Sequence, residues 1–197
     1  MKKEKSYDHY DSSHKLLMLG DTGVGKTSLI NSLVTNDFIE YHVPTEKIDF
    51  KIKTICTQDE QQIIKLLIWD SPSQKCYTDL TKDNIYLNSV GCMIVYSVTD
   101  GQSFFNVEKW LREIKTNDPT QTEILIVGNK SENSKHRAIT YDEGRNLADS
   151  HGCKYIETSC KSGQNVENAF RLVAGDMISM VKSQSGRKMV YSDTKAV

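Results

Sequence analysis

Gly20-Asp21-Thr22-Gly23-Val24-Gly25-Lys26-Thr27 lies between the apolar run Leu16-Leu17-Met18-Leu19 and Ser28-Leu29-Ile30-Asn31-Ser32-Leu33-Val34, whose apolar residues fall at helical spacing. A glycine-rich turn from a buried strand into a helix is the setting a phosphate-binding loop needs. Glycines let successive backbone N–H groups curl round a phosphate without a Cβ in the way, and the helix start adds donors and the positive end of its dipole. The spacing G-x-x-x-x-G-K-[ST] is complete. It assigns Lys26 to the β- and γ-phosphates and the Thr27 hydroxyl to Mg²⁺. A turn that binds nothing is the bland alternative, and the complete motif with both flanks disfavours it.

Strand-like and helical runs alternate along the chain. Lys15–Leu19 reads as the first strand and Lys26 to about Asn36 as the first helix. Ile48 to Gln58 and Gln61 to Trp69 read as a hairpin; Ile48, Phe50, Ile52 and Thr54 alternate with Asp49, Lys51 and Lys53, so the first four are expected on a buried face. Cys92–Val98 suits a central strand covered on both faces, with Cys92 as a small hydrophobe. Ser103 is expected to cap a helix to about Asn117, ended by Asp118-Pro119. Glu123–Val127 reads as a strand broken at Gly128, Thr140–Glu143 as a capping box opening a helix to about Ser150, and Lys154–Glu157 as the last strand. Val166, Ala169, Phe170, Val173, Ala174, Met177, Ile178 and Val181 mark the strongest amphipathic helix. The pattern implies an α/β fold: a mostly parallel six-stranded sheet with one antiparallel edge strand and helices on both faces. Residues 1–13 are expected as a flexible lead, 14–183 as one domain and 184–197 as a tail.

A chain of 197 residues suits one domain with a real core. With 25 basic against 26 acidic residues, there is no electrostatic reason to expect nucleic acid or an anionic membrane as a partner. Five cysteines without a C-x-x-C pair argue for thiols in a reducing compartment rather than disulfides or zinc. No run reaches membrane-span length, Lys2 stands where myristoylation needs glycine, and Cys160 is the last cysteine, so no prenylation site closes the sequence. A cytoplasmic protein is expected, associated with membranes only through partners or a segment beyond Val197.

In sheets of this kind ligands sit beyond the carboxyl ends of the strands. Asp70, directly after Ile68-Trp69, is placed to bind Mg²⁺ through water. Asn129-Lys130-Ser131-Glu132 and Glu157-Thr158-Ser159-Cys160-Lys161 each follow a buried strand. With these segments the chain resembles a Ras-superfamily small GTPase, most similar to the Rab branch, over about residues 14–182. Lys65-Leu66-Leu67-Ile68-Trp69-Asp70, Tyr96-Ser97-Val98-Thr99, Ser103-Phe104-Phe105-Asn106-Val107 and Trp110-Leu111-Arg112-Glu113-Ile114 all resemble Rab segments.

The resemblance implies GTP and GDP as ligands, with Mg²⁺. It places Asp21, Thr22, Gly23, Val24, Gly25, Lys26, Thr27 and Ser28 around the phosphates, and has Asn129 brace the loop and contact guanine. Lys130 is to lay its stem over the ring, Glu132 to read the base edge, Ser159, Cys160 and Lys161 to close the other side, and Phe38 to pack edge-on. The metal ligands are Thr27, Thr45 and, through water, Asp70. Gln74 is to position the attacking water, with Lys26 and Thr45 completing the catalytic set, and the Ser73 N–H is to meet the γ-phosphate. Residues 37–50 and 70–89 match the two switches read by effectors, exchange factors and GTPase-activating proteins.

The chain also departs from its family. Asp-Thr-Ala-Gly-Gln-Glu becomes Asp70-Ser71-Pro72-Ser73-Gln74-Lys75, which trades the flexible glycine for serine behind a proline and predicts a stiffer second switch. A misplacement of about 1 Å is worth roughly 10²-fold in rate. Thr45-Glu46-Lys47-Ile48-Asp49-Phe50 replaces Thr-Ile-Gly-Val-Asp-Phe, and Thr22 is bulky beside the γ-phosphate. Glu132 stands for the guanine-reading aspartate and adds a methylene to that contact. These residues define the expectation of a Rab-like switch with slow GTP hydrolysis in vesicle traffic, against the alternative of a module that binds nucleotide without hydrolysing it. A kinase acting on a small substrate lacks an acceptor site or lid in this length.

Overall fold

The computed structural model describes residues 9–35, 45, 48–57, 62–71, 86, 88–117 and 122–192, with side chains to Gln184. Strand β1 (Ser12–Leu19) leads through the glycine-rich loop into helix α1 (Lys26–Thr35). Then come β2 (Asp49–Cys56), β3 (Ile63–Asp70), β4 (Ser89–Ser97), α2 (Gly101–Phe105) and α3 (Val107–Asn117). The chain continues through β5 (Glu123–Asn129), a 3₁₀ turn (Ser134–His136), α4 (Tyr141–Ser150), β6 (Lys154–Glu157) and α5 (Val166–Ser192).

The six strands are ordered β2-β3-β1-β4-β5-β6, antiparallel between β2 and β3 and parallel elsewhere. This is the mostly parallel sheet with one antiparallel edge strand that the sequence implies. Because β1 is flanked by β3 on one side and β4 on the other, the loop after β1 opens at the point where the strand order reverses, the crevice where such sheets bind ligands.

Helices cover both faces. On one, Leu16 and Met18 of β1 pack with Leu29 and Ile30 of α1 and with Phe170, Val173 and Met177 of α5. On the other, Leu17 and Leu19 pack with Trp110, Leu111 and Ile114 of α3 and Ala148 of α4. All four of these β1 residues are buried, which is why the strand reads as an unbroken apolar run.

Several local expectations need correction. In β2 the buried residue is Ile55, which joins the α1 side, while Phe50 and Ile52 are 42% and 49% exposed. The alternation is real but its apolar face is the open one, because β2 lies at the sheet edge furthest from β5 and β6 and the helices over them. Gly128 does not break β5: it pairs with Tyr96 and Glu157, and a Cβ there would stand 2.6 Å from the Tyr155 hydroxyl and 3.0 Å from that of Tyr96. Its glycine is a matter of space. Asp100, not Ser103, caps α2 by accepting from the Gln102 N–H, and the expected single helix divides at Asn106. The Ser103 hydroxyl instead donates to the Asp100 carbonyl at 2.8 Å. Strand β1 starts at Ser12, where Asp11 ties into β3 through Ile63, and α5 continues past Gln184 to Ser192. The capping box at Thr140 and Glu143 forms as read.

Candidate functional site

The loop after β1 carries Gly23 at φ +79° and Gly25 at φ +102°. At Gly25 a side chain is excluded twice over, by that backbone angle and by Asn129, whose Nδ2 would lie 2.4 Å from an added Cβ. Lys26 is 7% exposed, and its Nζ donates to the carbonyls of Gly20 at 2.8 Å and Asp21 at 3.0 Å. Burial lowers its pKa to about 8, with the Asp70 and Asp21 charges pulling the other way. A desolvated ammonium held over a curled, glycine-rich turn at a helix start is built to meet an anion.

Three oxygen-bearing side chains from distant parts of the sequence converge beside it. The Thr27 hydroxyl donates to Asp70 Oδ2 at 2.5 Å and lies 2.9 Å from the Thr45 hydroxyl. Asp70 is 1% exposed, and burial pushes its carboxyl pKa up against the pull of Thr27 and Lys26. Its other oxygen, Oδ1, has no hydrogen-bond partner among the described residues. A buried carboxylate oxygen with nothing to accept from is costly unless a cation or a water on one satisfies it. The donor set is hard oxygen throughout, so it fits Mg²⁺. Next along the chain, the buried Ser71 donates through Oγ to the Met18 carbonyl at 2.5 Å, fixing the exit of β3 against β1.

On the opposite side of the loop, β5 and β6 deliver Asn129 and Thr158. Asn129 is 1% exposed: its Nδ2 donates to the Val24 carbonyl at 2.9 Å, and its Oδ1 accepts from the Thr158 hydroxyl at 3.1 Å and the Cys160 thiol at 3.5 Å. Three loops meet at one amide. Burial raises the Cys160 thiol to about 11, so it acts as a small neutral donor. Lys130, at φ +67°, stretches back to donate through Nζ to the Gly23 carbonyl at 2.7 Å. Ser159 accepts through Oγ from the Ser162 N–H at 3.0 Å, while Glu132 and Lys161 stand exposed at the rim. Thr22 is exposed at the loop's tip and Ser28 is half-buried in the first turn of α1.

Sequence reasoning missed the supports behind this wall. Arg137 and Glu157 form a paired ion bridge at 2.7 and 2.8 Å that joins the segment after Asn129 to the strand before Ser159. Tyr155 donates to the same Glu157 at 3.1 Å and shares a 2.7 Å hydroxyl contact with Tyr96, whose pKa burial raises to about 12. No local pattern announces such pairs, since 20 residues separate Arg137 from Glu157. Asp21 also behaves unexpectedly: its carboxylate faces α2 and α3 and accepts from Asn106 and Trp110. Phe38, Ser73 and Gln74, with Pro72, Glu46, Lys47 and most of both switches, lie outside the described residues.

A glycine loop at the sheet's switch point, a buried lysine, converging hard oxygens and two loops braced on one asparagine define a P-loop nucleotide-binding domain. The sequence matches the Ras family over residues 15–179. It is 38% identical over 175 residues to the Ras-related protein RIC1 of Oryza sativa subsp. japonica, covering 89% of this chain and 85% of that protein. The Ras-related protein RABD2a of Arabidopsis thaliana gives the same identity and coverage. The Ras-related protein Rab-13 of Mesocricetus auratus is 38% identical over 174 residues, 88% of this chain and 83% of that protein. The chain belongs to the Ras family and is a Rab-like small GTPase of the Ras superfamily. No helix among the described residues is long and apolar enough to cross a membrane.

Proposed function

We propose that this chain is a Rab-like switch that binds GTP and GDP with Mg²⁺, hydrolyses GTP slowly, and acts in vesicle traffic through partners that read residues 37–50 and 70–89. The observation that carries this reading is the Thr27 hydroxyl, which donates to the buried Asp70 and meets the Thr45 hydroxyl next to the desolvated Lys26, while Asp70 Oδ1 has no hydrogen-bond partner among the described residues.

In hydrolysis a water oxygen bonds to the γ-phosphorus while the bond from γ-phosphorus to the β–γ bridging oxygen breaks, giving GDP and inorganic phosphate. Lys26 supplies a fixed positive charge to the β- and γ-phosphates as charge shifts towards the leaving oxygen. Bound Mg²⁺ would supply further positive charge against the developing negative charge. Thr27, Thr45 and, through water, Asp70 would hold it. Gln74 is the residue proposed to orient the water. On the base side, one N–H and the oxygen of the Asn129 amide are held by protein, which would fix the side chain and leave its second N–H for guanine. Glu132 would receive the base edge with a longer arm than aspartate.

Single-turnover hydrolysis of pre-loaded GTP with Mg²⁺, alongside the affinities for GTP and GDP, tests the proposal. Tight binding of both nucleotides with slow but measurable phosphate release is expected. Binding without phosphate release over the lifetime of the complex overturns it and leaves a non-hydrolysing module.

A further inference from the structure

An acid in a phosphate-binding loop sets a problem, because a carboxylate beside phosphates repels them unless it is turned away and its charge absorbed. Asp21 meets this by facing backwards. Its Oδ2 accepts from Asn106 Nδ2 at 2.6 Å, and its Oδ1 accepts from Trp110 Nε1 at 3.0 Å. Both donors are themselves positioned. Asn106 caps α2, and its Oδ1 accepts from Gln102 Nε2 at 3.2 Å, which leaves Nδ2 to aim at the loop. Trp110 is 2% exposed on α3, so its indole N–H has no solvent to turn to, and Asp21 is the acceptor that satisfies it. The same Asp21 presents its carbonyl to Lys26 Nζ at 3.0 Å, so fixing this residue also fixes the cation.

We propose that Asp21, Asn106 and Trp110 form a latch that fixes the phosphate-binding loop to helices α2 and α3 and sets how long a nucleotide stays bound. These are positioning residues that act through the loop. A loop held in its binding shape loses less freedom when the phosphates arrive, and a change in such pre-organisation is read chiefly in the dissociation rate. The inference rests on the guanine-nucleotide reading above.

The test is release of pre-loaded fluorescent GDP, chased by excess unlabelled GDP with Mg²⁺ present, from the wild-type chain and from Asp21→Ala, Trp110→Phe and the double variant. Asp21→Ala, which removes both hydrogen bonds, is expected to release GDP about tenfold faster, Trp110→Phe, which removes one, about threefold faster, and the double variant no faster than Asp21→Ala, in which the indole contact is already lost. Glu108→Ala, an exposed change on the same helix, is expected to leave the rate unchanged. A wild-type chain that does not hold GDP would defeat the nucleotide reading itself. A wild-type chain that holds it, with single-variant rates unchanged or effects that multiply in the double, overturns the latch alone. A spectroscopic arm decides the matter if the variants do not fold. The chain has two tryptophans, so Trp69→Phe isolates Trp110, whose emission is expected to stay that of a buried, hydrogen-bonded indole when chelation of Mg²⁺ and washing strip GDP, because the latch is formed without nucleotide. An emission that moves to that of an exposed indole on loss of GDP overturns the latch.

Discussion

The two walls of the nucleotide site are built on opposite plans. The base wall closes on itself: Asn129 satisfies Val24, Thr158 and Cys160 at once, and Arg137 with Glu157 bolts the flanking segments together behind it. The metal wall stays open. Thr27, in contact with Thr45, donates to a carboxylate that burial disfavours and one of whose oxygens has no partner among the described residues. On the proposed reading, a braced wall is a fixed mould for the part of the ligand that GTP and GDP share. A wall with an unpartnered carboxylate oxygen would hold a deficit for Mg²⁺ and phosphate to remove, so the response to ligand is expected on that side.

The largest break in this contrast is expected from Lys26, proposed to meet the phosphates between the two walls. Lys26→Ala is expected to weaken binding of both GTP and GDP by at least about 10²-fold, because a buried phosphate then lacks its dedicated cation. Titration with fluorescent GDP measures it, and retained tight binding would count against the phosphate-loop assignment. Asp70→Asn follows in size and acts on one wall alone. The amide keeps the shape but removes the buried charge, so the dependence of GDP affinity on Mg²⁺ is expected to fall about 10- to 100-fold. Thermal stability without ligand is expected to hold or rise, because the group lost is one that burial works against. A drop in ligand-free stability would mean that the carboxylate supports the fold rather than waiting for a cation.

The asymmetry also governs how much could be read from sequence. The sheet was legible because β1 and β4 are buried on both faces and write unbroken apolar runs, and the phosphate loop because its glycines and lysine are contiguous. Features set by partners far along the chain were not. Gly128 looks like a strand breaker, yet it is the gap into which the hydroxyls of Tyr96 and Tyr155 fit. Phe50 and Ile52 alternate like core residues, but only the packed positions of the helices reveal that Ile55 is the one covered. Asp21 sits within the phosphate-loop motif, and the partners of its carboxylate lie 85 and 89 residues on. Motifs declare which residues touch ligand. The network that holds those residues still has no local signature.

The base wall yields smaller and graded effects. Asn129→Ala removes one donor and one acceptor that tie three loops, and leaves the buried Thr158 hydroxyl and Val24 carbonyl unpaired. A loss of about 2 to 3 kcal/mol in unfolding free energy is expected in denaturant titration, with weaker GDP binding alongside it. Cys160→Ala removes only the 3.5 Å thiol contact and a little volume, while Thr158 still holds the amide. Its expected cost is about 0.5 to 1 kcal/mol with GDP affinity changed less than threefold, because a thiol is a weak donor and alanine keeps the helix-side packing of a small apolar group. If Cys160→Ala matched Asn129→Ala in size, the bracing would run through the thiol rather than through Thr158. The base wall would then depend on its weakest bond, and the contrast with the metal wall would collapse.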